Sequence, residues 1–440
     1  MKDFSTYIQC CALTLLIIIA SSTVSSRYSA RAQGLALHDR DNAEAMLRAA
    51  KEDLKKHYYD ATHRGIDLEA KFKEAEEKLR QATTRDQLVI IVAQVLLDFN
   101  DSHTFFVPPS RAARVQYGWE MQLIGDSAYV SSVKPKSDAE AKGLKPGDEI
   151  ISVDGFKPNR DNMWKMYYRY YALMPARSIR LVLKSPGASE TKEVDVLAKI
   201  ERGAVVTDWT MIFNRYLREG QNTDPDRMYE FGKELFLWKM PSFVVSETHV
   251  SEIMGKAKNF KFLILDLRGN GGGYVDTLAR LAGYFFDADV KIADLKGRKE
   301  MKPIIAKTRG ANGFKGDLVV LVDSESASAS ELFARLIQIE KRGKVIGDRT
   351  AGSVMTSKHY DHQSGVGAVL YFGNSITVAD MIMSDGKSLE KVGVTPDEVM
   401  VPSGADLAAH RDPVLSHAAS LAGISIDPAK AGTMFPKEWK

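Results

Sequence analysis

The chain has 440 residues, 44% hydrophobic and 27% charged, a balance that excludes a disordered or collagen-like polypeptide. At about 100 to 200 residues per domain, that length makes roughly two to four domains. Sixty Lys and Arg face 57 Asp and Glu, so no global field draws the chain to nucleic acid or an anionic membrane. The two cysteines, Cys10 and Cys11, are adjacent in the first strongly apolar run.

Met1-Lys2 supplies a positive start, Cys10 to Ala20 an apolar stretch too short to span a bilayer comfortably, and small polar residues follow through Ser26. This pattern predicts a secretory signal peptide over 1–32, cut after Ala30-Arg31-Ala32 or nearer Ser22 or Ser26, with an uncleaved membrane anchor as the alternative. A cleaved chain keeps no cysteine, which removes thiol catalysis, disulfides and Cys-ligated zinc. The expected location is periplasmic or extracellular.

From Asn42 to about Phe99 the sequence is charged and helical in period, with Leu68, Phe72, Ala75 and Leu79 at helical spacing. Gln87 to Leu97 is apolar enough for a buried helix. Asn100-Asp101-Ser102 is turn chemistry and Pro108-Pro109 marks a boundary, so a helical domain is predicted over 35–110. Short strands and turns follow: Ala128 to Val133 as a strand, Ser137 to Lys142 as a helix, a strand through Ile150-Ile151, a helix from Met163 to Leu173, and a strand from Ser178 to Lys184. Val133-x-Pro135, Gly143-Leu144, Pro146-Gly147-Asp148 and Val153-x-Gly155 resemble a PDZ domain, placed at 111–200. Such a domain binds an extended chain end by strand addition. Tyr117-Gly118-Trp119-Glu120 departs from the usual carboxylate loop, which puts capture of a free C-terminus in question. Beyond Glu230, strands (Phe236–Met240, Phe260–Leu267, Leu318–Val322, Lys344–Ile346) alternate with helices (Thr277–Phe286, Glu331–Lys341), predicting one α/β domain within 201–440.

Two segments of that domain carry chemistry. Ser326-Ala327-Ser328-Ala329-Ser330-Glu331 follows an apolar strand and opens a helix, so a hydroxyl there sits beside unpaired N–H groups able to stabilise developing negative charge. Ser328-x-x-Glu331 is equally a capping box that only starts a helix. Asp266-Leu267-Arg268-Gly269-Asn270-Gly271-Gly272-Gly273 is a strand entering a glycine-rich turn that can aim N–H groups at a carbonyl, or serve as a plain tight turn. It lacks the Gly-Lys-Ser/Thr of a phosphate loop.

In this order the two segments resemble the C-terminal processing peptidase and tricorn core family of serine peptidases. Asp101-Ser102-His103-Thr104, the PDZ-like insert, Gly393-Val394-Thr395-Pro396-Asp397 and Asp412-Pro413-Val414-Leu415 extend the resemblance over most of the chain. It implies an α/β peptidase core with an N-terminal helical domain and an inserted PDZ domain. It also implies Ser328 as nucleophile, rather than Ser326 or Ser330, with the N–H groups of Ala329 and Gly272 as oxyanion hole. One branch of the family activates serine with a lysine in Thr-x-Gly-Lys; here the segment reads Thr350-Ala351-Gly352-Ser353, without the lysine. The tricorn-like branch uses a Ser-His pair oriented by a glutamate, which corresponds to Ser102, His103 and Glu390. Imidazole, titrating near about 6.5, is a suitable base for a seryl hydroxyl.

The expected activity is hydrolysis of extended or unfolded polypeptides, without cofactor, metal or nucleic acid, and with a homo-oligomer left open. One alternative is a catalytically silent relative that binds peptides or apolar ligands. Another is a Ser-Lys peptidase borrowing Lys358. His359-x-x-His362 with Asp361 suggests a metal only on a helix, and Gly365 and Gly367 favour a hairpin instead.

Overall fold

The computed structural model describes residue 35, residues 37–111, 113–202, 225–365, 369–437 and residue 439. The predicted signal segment lies outside the described residues. Helices α1 (Leu37–His57), α2 (Leu68–Gln81) and α3 (Arg85–Leu97) open the chain. Asp67 caps α2 by accepting from Ala70 N–H, and Thr84 with Gln87 forms a capping box on α3. The predicted stripe Leu68, Phe72, Ala75 and Leu79 is buried against Leu47, Leu54, Tyr58, Val92 and Leu96. After α3 the chain turns through Asn100 to Thr104 into β1 (Phe105–Val107).

The PDZ insert is entered by β2 (Ala113–Gln116), whose antiparallel partner is β8 (Lys199–Arg202). Between them β3 (Trp119–Ile124), β4 (Ser127–Val133), β5 (Glu149–Val153), β6 (Ser178–Lys184) and β7 (Lys192–Leu197) form a sheet in sequential order, with α4 (Asp138–Ala141) beside it. The helix predicted over Met163–Leu173 is α only in α5 (Met163–Tyr167) and continues as a π-helical turn through Leu173. Opposite β7, β3 is an edge strand of this sheet. Its outward groups are partly spent: the Tyr167 hydroxyl donates to Met121 O at 2.6 Å and accepts from Met121 N–H at 3.3 Å, and Ser324 Oγ donates to Leu123 O. Gln122 Nε2 donates to Asp323 Oδ2 at 2.6 Å, and Arg160 pairs with Asp348 at 3.0 Å. The insert is thus tied to the turn that precedes Ser328.

In the core, β9 (Arg227–Phe231), β10 (Leu235–Lys239), β11 (Phe262–Asp266), β14 (Asp317–Val322), β15 (Lys344–Gly347) and β18 (Glu398–Val399) make a sheet ordered β18-β15-β14-β11-β10-β9, parallel except for β9. All five residues of β11 are buried because both faces are covered. Leu263 and Leu265 face α6 (Glu247–Ala257), α7 (Val275–Ala282) and α8 (Ala329–Ile339) through Val250, Leu278, Leu332 and Phe333. Phe262 and Ile264 face Val414, Leu415 and Ala418 of the C-terminal helix Pro413–Leu421. The two-residue strand period produces this division.

A second sheet lies outside the strands expected from sequence. It runs β1, β17 (Leu370–Met383), β12 (Val290–Gly297), β13 (Ile304–Ala306), with β16 (Met355–Ser364) also paired to β17. The hairpin suggested by Gly365 and Gly367 is β16–β17. Through Phe372 and Ile376 this sheet joins the helical core, and through Met381 and Met383 the α/β core. It therefore carries residues 101–104 to the glycine-rich and seryl turns.

Candidate active site

The turn after α3 is built on Asp101, 2% exposed. Its carboxylate accepts from His103 N–H at 3.0 Å, Thr104 N–H at 2.7 Å, Thr377 Oγ1 at 2.7 Å and Tyr58 OH at 2.9 Å. Ser375 Oγ donates to His103 O at 2.7 Å. The backbone of His103 is thus held by β17 on one side and, through Asp101, by Tyr58 just past α1 on the other, which leaves its ring to the site. Ser102 Oγ lies 2.6 Å from His103 Nδ1 and donates to Glu390 Oε2 at 2.8 Å, while Ser102 N–H donates to Glu390 Oε1 at 2.8 Å. Glu390 is half-buried, and burial pushes its carboxyl up against the bonds from Ser102 and Val354. Burial likewise lowers the His103 imidazole to about 4, with Asp101 opposing and Lys391 adding to the fall.

Ser328 stands at the junction of β14 and α8 with φ 55° and ψ −115°, a conformation rare for a residue with a side chain. Ser326 and Ser330 are fully buried, and their hydroxyls donate to the carbonyls of Leu267 at 2.8 Å and Asn270 at 2.9 Å. Of the three serines, Ser328 is the one partly exposed. Its N–H is shared between Ser353 O and Glu331 Oε2, each at 3.0 Å. Glu331 is fully buried and also accepts from Thr350 Oγ1 at 2.5 Å, Gly352 N–H at 2.7 Å and Ser353 N–H at 2.9 Å. Burial raises its carboxyl to about 7 against those four bonds. The next N–H, of Val354, donates to Glu390 Oε2 at 2.9 Å. One pentapeptide, 350–354, therefore fastens the seryl turn and the Ser102–His103 turn to each other. No direct hydrogen bond joins Ser328 Oγ to His103.

The glycine-rich turn packs beside this serine. Asn270, fully buried, accepts the Ala327 N–H at 2.9 Å on its carbonyl, and its side chain bridges Met240 O and Gly272 N–H, each at 2.8 Å. This corrects the expected oxyanion hole: the Gly272 N–H, committed to Asn270 Oδ1, is not free to face a substrate. Gly272 is required for another reason. At φ 96°, a Cβ there would stand 2.7 Å from Ser328 Cβ and 3.0 Å from Ala329 N. Gly272→Ala is therefore expected to cut kcat/KM at least about 100-fold, while Gly255→Ala, with nothing within 4 Å, leaves it unchanged; steady-state hydrolysis checks both. Asp266, also fully buried, anchors the same turn. Burial opposes its charge, but Arg268 and Lys239 hold it down to about 2. Arg268 bridges it to Asp412, the N-cap of the C-terminal helix, at 2.7 Å to each.

Lys358 is exposed on β16, beyond the 350–354 segment. His359 and His362 also lie on β16, where an i, i+3 spacing points to opposite faces, and they pair with Asp361 at 2.9 Å and Asp53 at 2.7 Å. Among the described residues no group of three His, Cys, Asp or Glu is arranged for a metal. Sequence reasoning took Glu331 for a helix-capping residue and passed over Asn270 and Thr350. Their signals were the buried strand ahead of Asn270 and the Thr-x-Gly spacing.

Residues 237–400 match peptidase family S41 and residues 112–163 the PDZ domain. The tail-specific protease of Haemophilus influenzae is 28% identical over 339 residues, 72% of this chain and 46% of that protein. The chloroplastic C-terminal processing peptidase of Tetradesmus obliquus is 26% identical over 352 residues, 76% of this chain and 72% of that protein. The chain thus spans about half the length of the first relative. Among solved structures, mature CPAF superposes with a TM-score of 0.63 at 14% identity, covering 84% of this chain and 94% of that one. The photosystem II D1 C-terminal processing protease gives 0.52 at 22% identity, covering 82% and 93%. The chain shares the fold of these two proteins. Residues 237–400 are thus similar to peptidase family S41, and the segment similar to a PDZ domain lies ahead of them.

Proposed function

We propose that this chain is an exported serine endopeptidase that hydrolyses peptide bonds of extended or unfolded polypeptides through Ser328, His103, Ser102 and Glu390. The observation that carries the reading is the Ser102 hydroxyl held between Glu390 Oε2 and His103 Nδ1. A hydroxyl has one proton, and here it points to the carboxylate, so His103 Nδ1 must donate to Ser102 Oγ. His103 Nε2 is then the unprotonated nitrogen, with its lone pair free to take the Ser328 proton. Glu390 acts on the ring through Ser102 rather than directly, fixing the tautomer and stabilising the imidazolium at one remove.

Ser328 Oγ attacks the scissile carbonyl and the proton passes to Nε2. The N–H of Ala329, first residue of α8, faces the developing oxyanion, aided by the helix dipole. The amine leaves with the proton from Nε2, and water repeats the sequence on the acyl-enzyme. Glu331 holds the strained seryl backbone through these steps. Export rests on the Met1-Lys2 start and the apolar run Cys10 to Ala20.

The test is incubation of the pure chain with a denatured protein, and separately with a serine-directed phosphonate. Fragments with newly formed termini and a single adduct mapped to Ser328 are the expected result. A chain that binds peptides but neither cleaves them nor takes up phosphonate is a silent relative.

A further inference from the structure

Next to the Ser102–His103 turn the surface holds two ammonium groups against one indole. Lys165 Nζ lies 5.6 Å and Lys391 Nζ 5.8 Å from the Trp164 ring. Trp164 and Lys165 belong to α5 of the PDZ insert, whereas Lys391 directly follows Glu390 in the core. The cluster therefore straddles the two domains.

Lys391 is held in place at some cost. Its φ is 64°, a left-handed conformation that a side chain disfavours, and its N–H donates to Gly352 O at 2.8 Å. Its charge acts on both His103 and Lys165. Lys165 is half-buried, and the neighbouring positive charge adds to its desolvation. Among the described residues neither ammonium has an ion-pair partner. The acids nearest in effect on Lys165 are Asp161 and Asp98, and Asp98 is paired with Lys71. Glu390, beside Lys391, is committed to Ser102 and Val354. Two like charges sharing one indole without a counter-charge favour an incoming anion, a carboxylate among them.

We propose that Lys165 and Lys391, backed by Trp164, form a carboxylate-binding subsite that selects polypeptides with an acidic group a few residues from the bond cut at Ser328. The proposal rests on the peptidase reading above. The carboxylate comes from an Asp or Glu side chain or from the substrate's own C-terminus, and the test separates these sources.

A quenched fluorescent peptide would be made with Asp or Asn at each position flanking the cut, each as free acid and as C-terminal amide. For the wild-type chain, kcat/KM should favour the carboxylate-bearing member roughly tenfold, chiefly in KM, and the preference should shrink as salt rises. Dependence on Asp over Asn assigns a side chain; dependence on acid over amide assigns the chain end. In Lys165→Met/Lys391→Met the ratio should fall to about one, while Lys165→Arg/Lys391→Arg retains it. A wild-type ratio near one, or a ratio unchanged in the double Met variant, overturns the proposal. Dissociation constants of the same peptides for the Ser328→Ala chain separate the two hypotheses. Tighter binding of carboxylate peptides by it retains the subsite even where the wild-type chain cuts no peptide, the outcome that rejects the peptidase reading, whereas equal binding rejects the subsite.

Discussion

Ser328→Ala is expected to lower kcat/KM on the order of 10³-fold or more, with folding stability shifted by at most about 1 to 2 kcal/mol. The large effect follows because nothing else in the seryl turn can replace that oxygen. Ser326 and Ser330 are buried with their hydroxyls donated to Leu267 O and Asn270 O. Ser326→Ala and Ser330→Ala should show the reverse balance, each losing about 0.5 to 1.5 kcal/mol of stability from a lost buried hydrogen bond, since the Leu267 and Asn270 carbonyls keep the Asn270 and Ala327 N–H groups, while phosphonate uptake at Ser328 persists. Calorimetry and kinetics on the three variants separate the roles. Undiminished turnover by Ser328→Ala would reject the site.

His103→Ala should be nearly as damaging, and its pH dependence should differ from that of a solvated histidine. Only the neutral imidazole accepts the seryl proton, so activity falls as pH drops through the His103 pKa. Burial lowers that pKa from the ordinary 6.5 to about 4, so the acid limb assigned to His103 moves well below the value expected from sequence. The same shift bears on stability. Between 6.5 and about 4 the unfolded chain binds a proton at this residue that the folded chain does not, so stability falls as pH falls through that window. A limb near 7 would instead report Glu331, raised to about 7 by burial, and Glu331→Gln should remove it. Glu390→Gln and Ser102→Ala should each lose much of kcat, because either breaks the chain that fixes the His103 tautomer. Lys358→Met should matter little. His103→Ala active with Lys358→Met dead would return the chain to the Ser-Lys alternative.

Much of the architecture is legible in the residues because it depends on local interactions. Asp67 and the Thr84–Gln87 box start helices whose apolar stripes follow at helical spacing, and the unbroken run Phe262 to Leu265 marks a strand covered on both faces. The β14-to-α8 and β11-to-glycine junctions are local in the same way, so both chemical segments are found without knowing the fold. Beyond the β16–β17 hairpin, the second sheet is not legible. The run of β17 is interrupted by Asn374, Ser375 and Thr377, which are buried with side-chain donors bonded to Asp53, the His103 carbonyl and Asp101 on other elements.

Three properties of the site depend on the tertiary structure. Ser328 is distinguished by the burial of its neighbours and by its own backbone strain, neither of which is written in Ser-Ala-Ser-Ala-Ser. The Gly272 N–H is withdrawn by an Asn270 side chain whose direction no spacing reveals. Glu390 meets Ser102 across 288 positions of sequence, in a setting dry enough to move both carboxylate and imidazole away from their solution values. The sequence by itself determined the elements and the types of reactive group, since propensity and capping act within a few residues. Only the tertiary structure decided which of the three seryl hydroxyls is exposed, where the Gly272 N–H is spent and what surrounds the His103 ring, because desolvation and long-range hydrogen bonds exist only once distant segments are packed together.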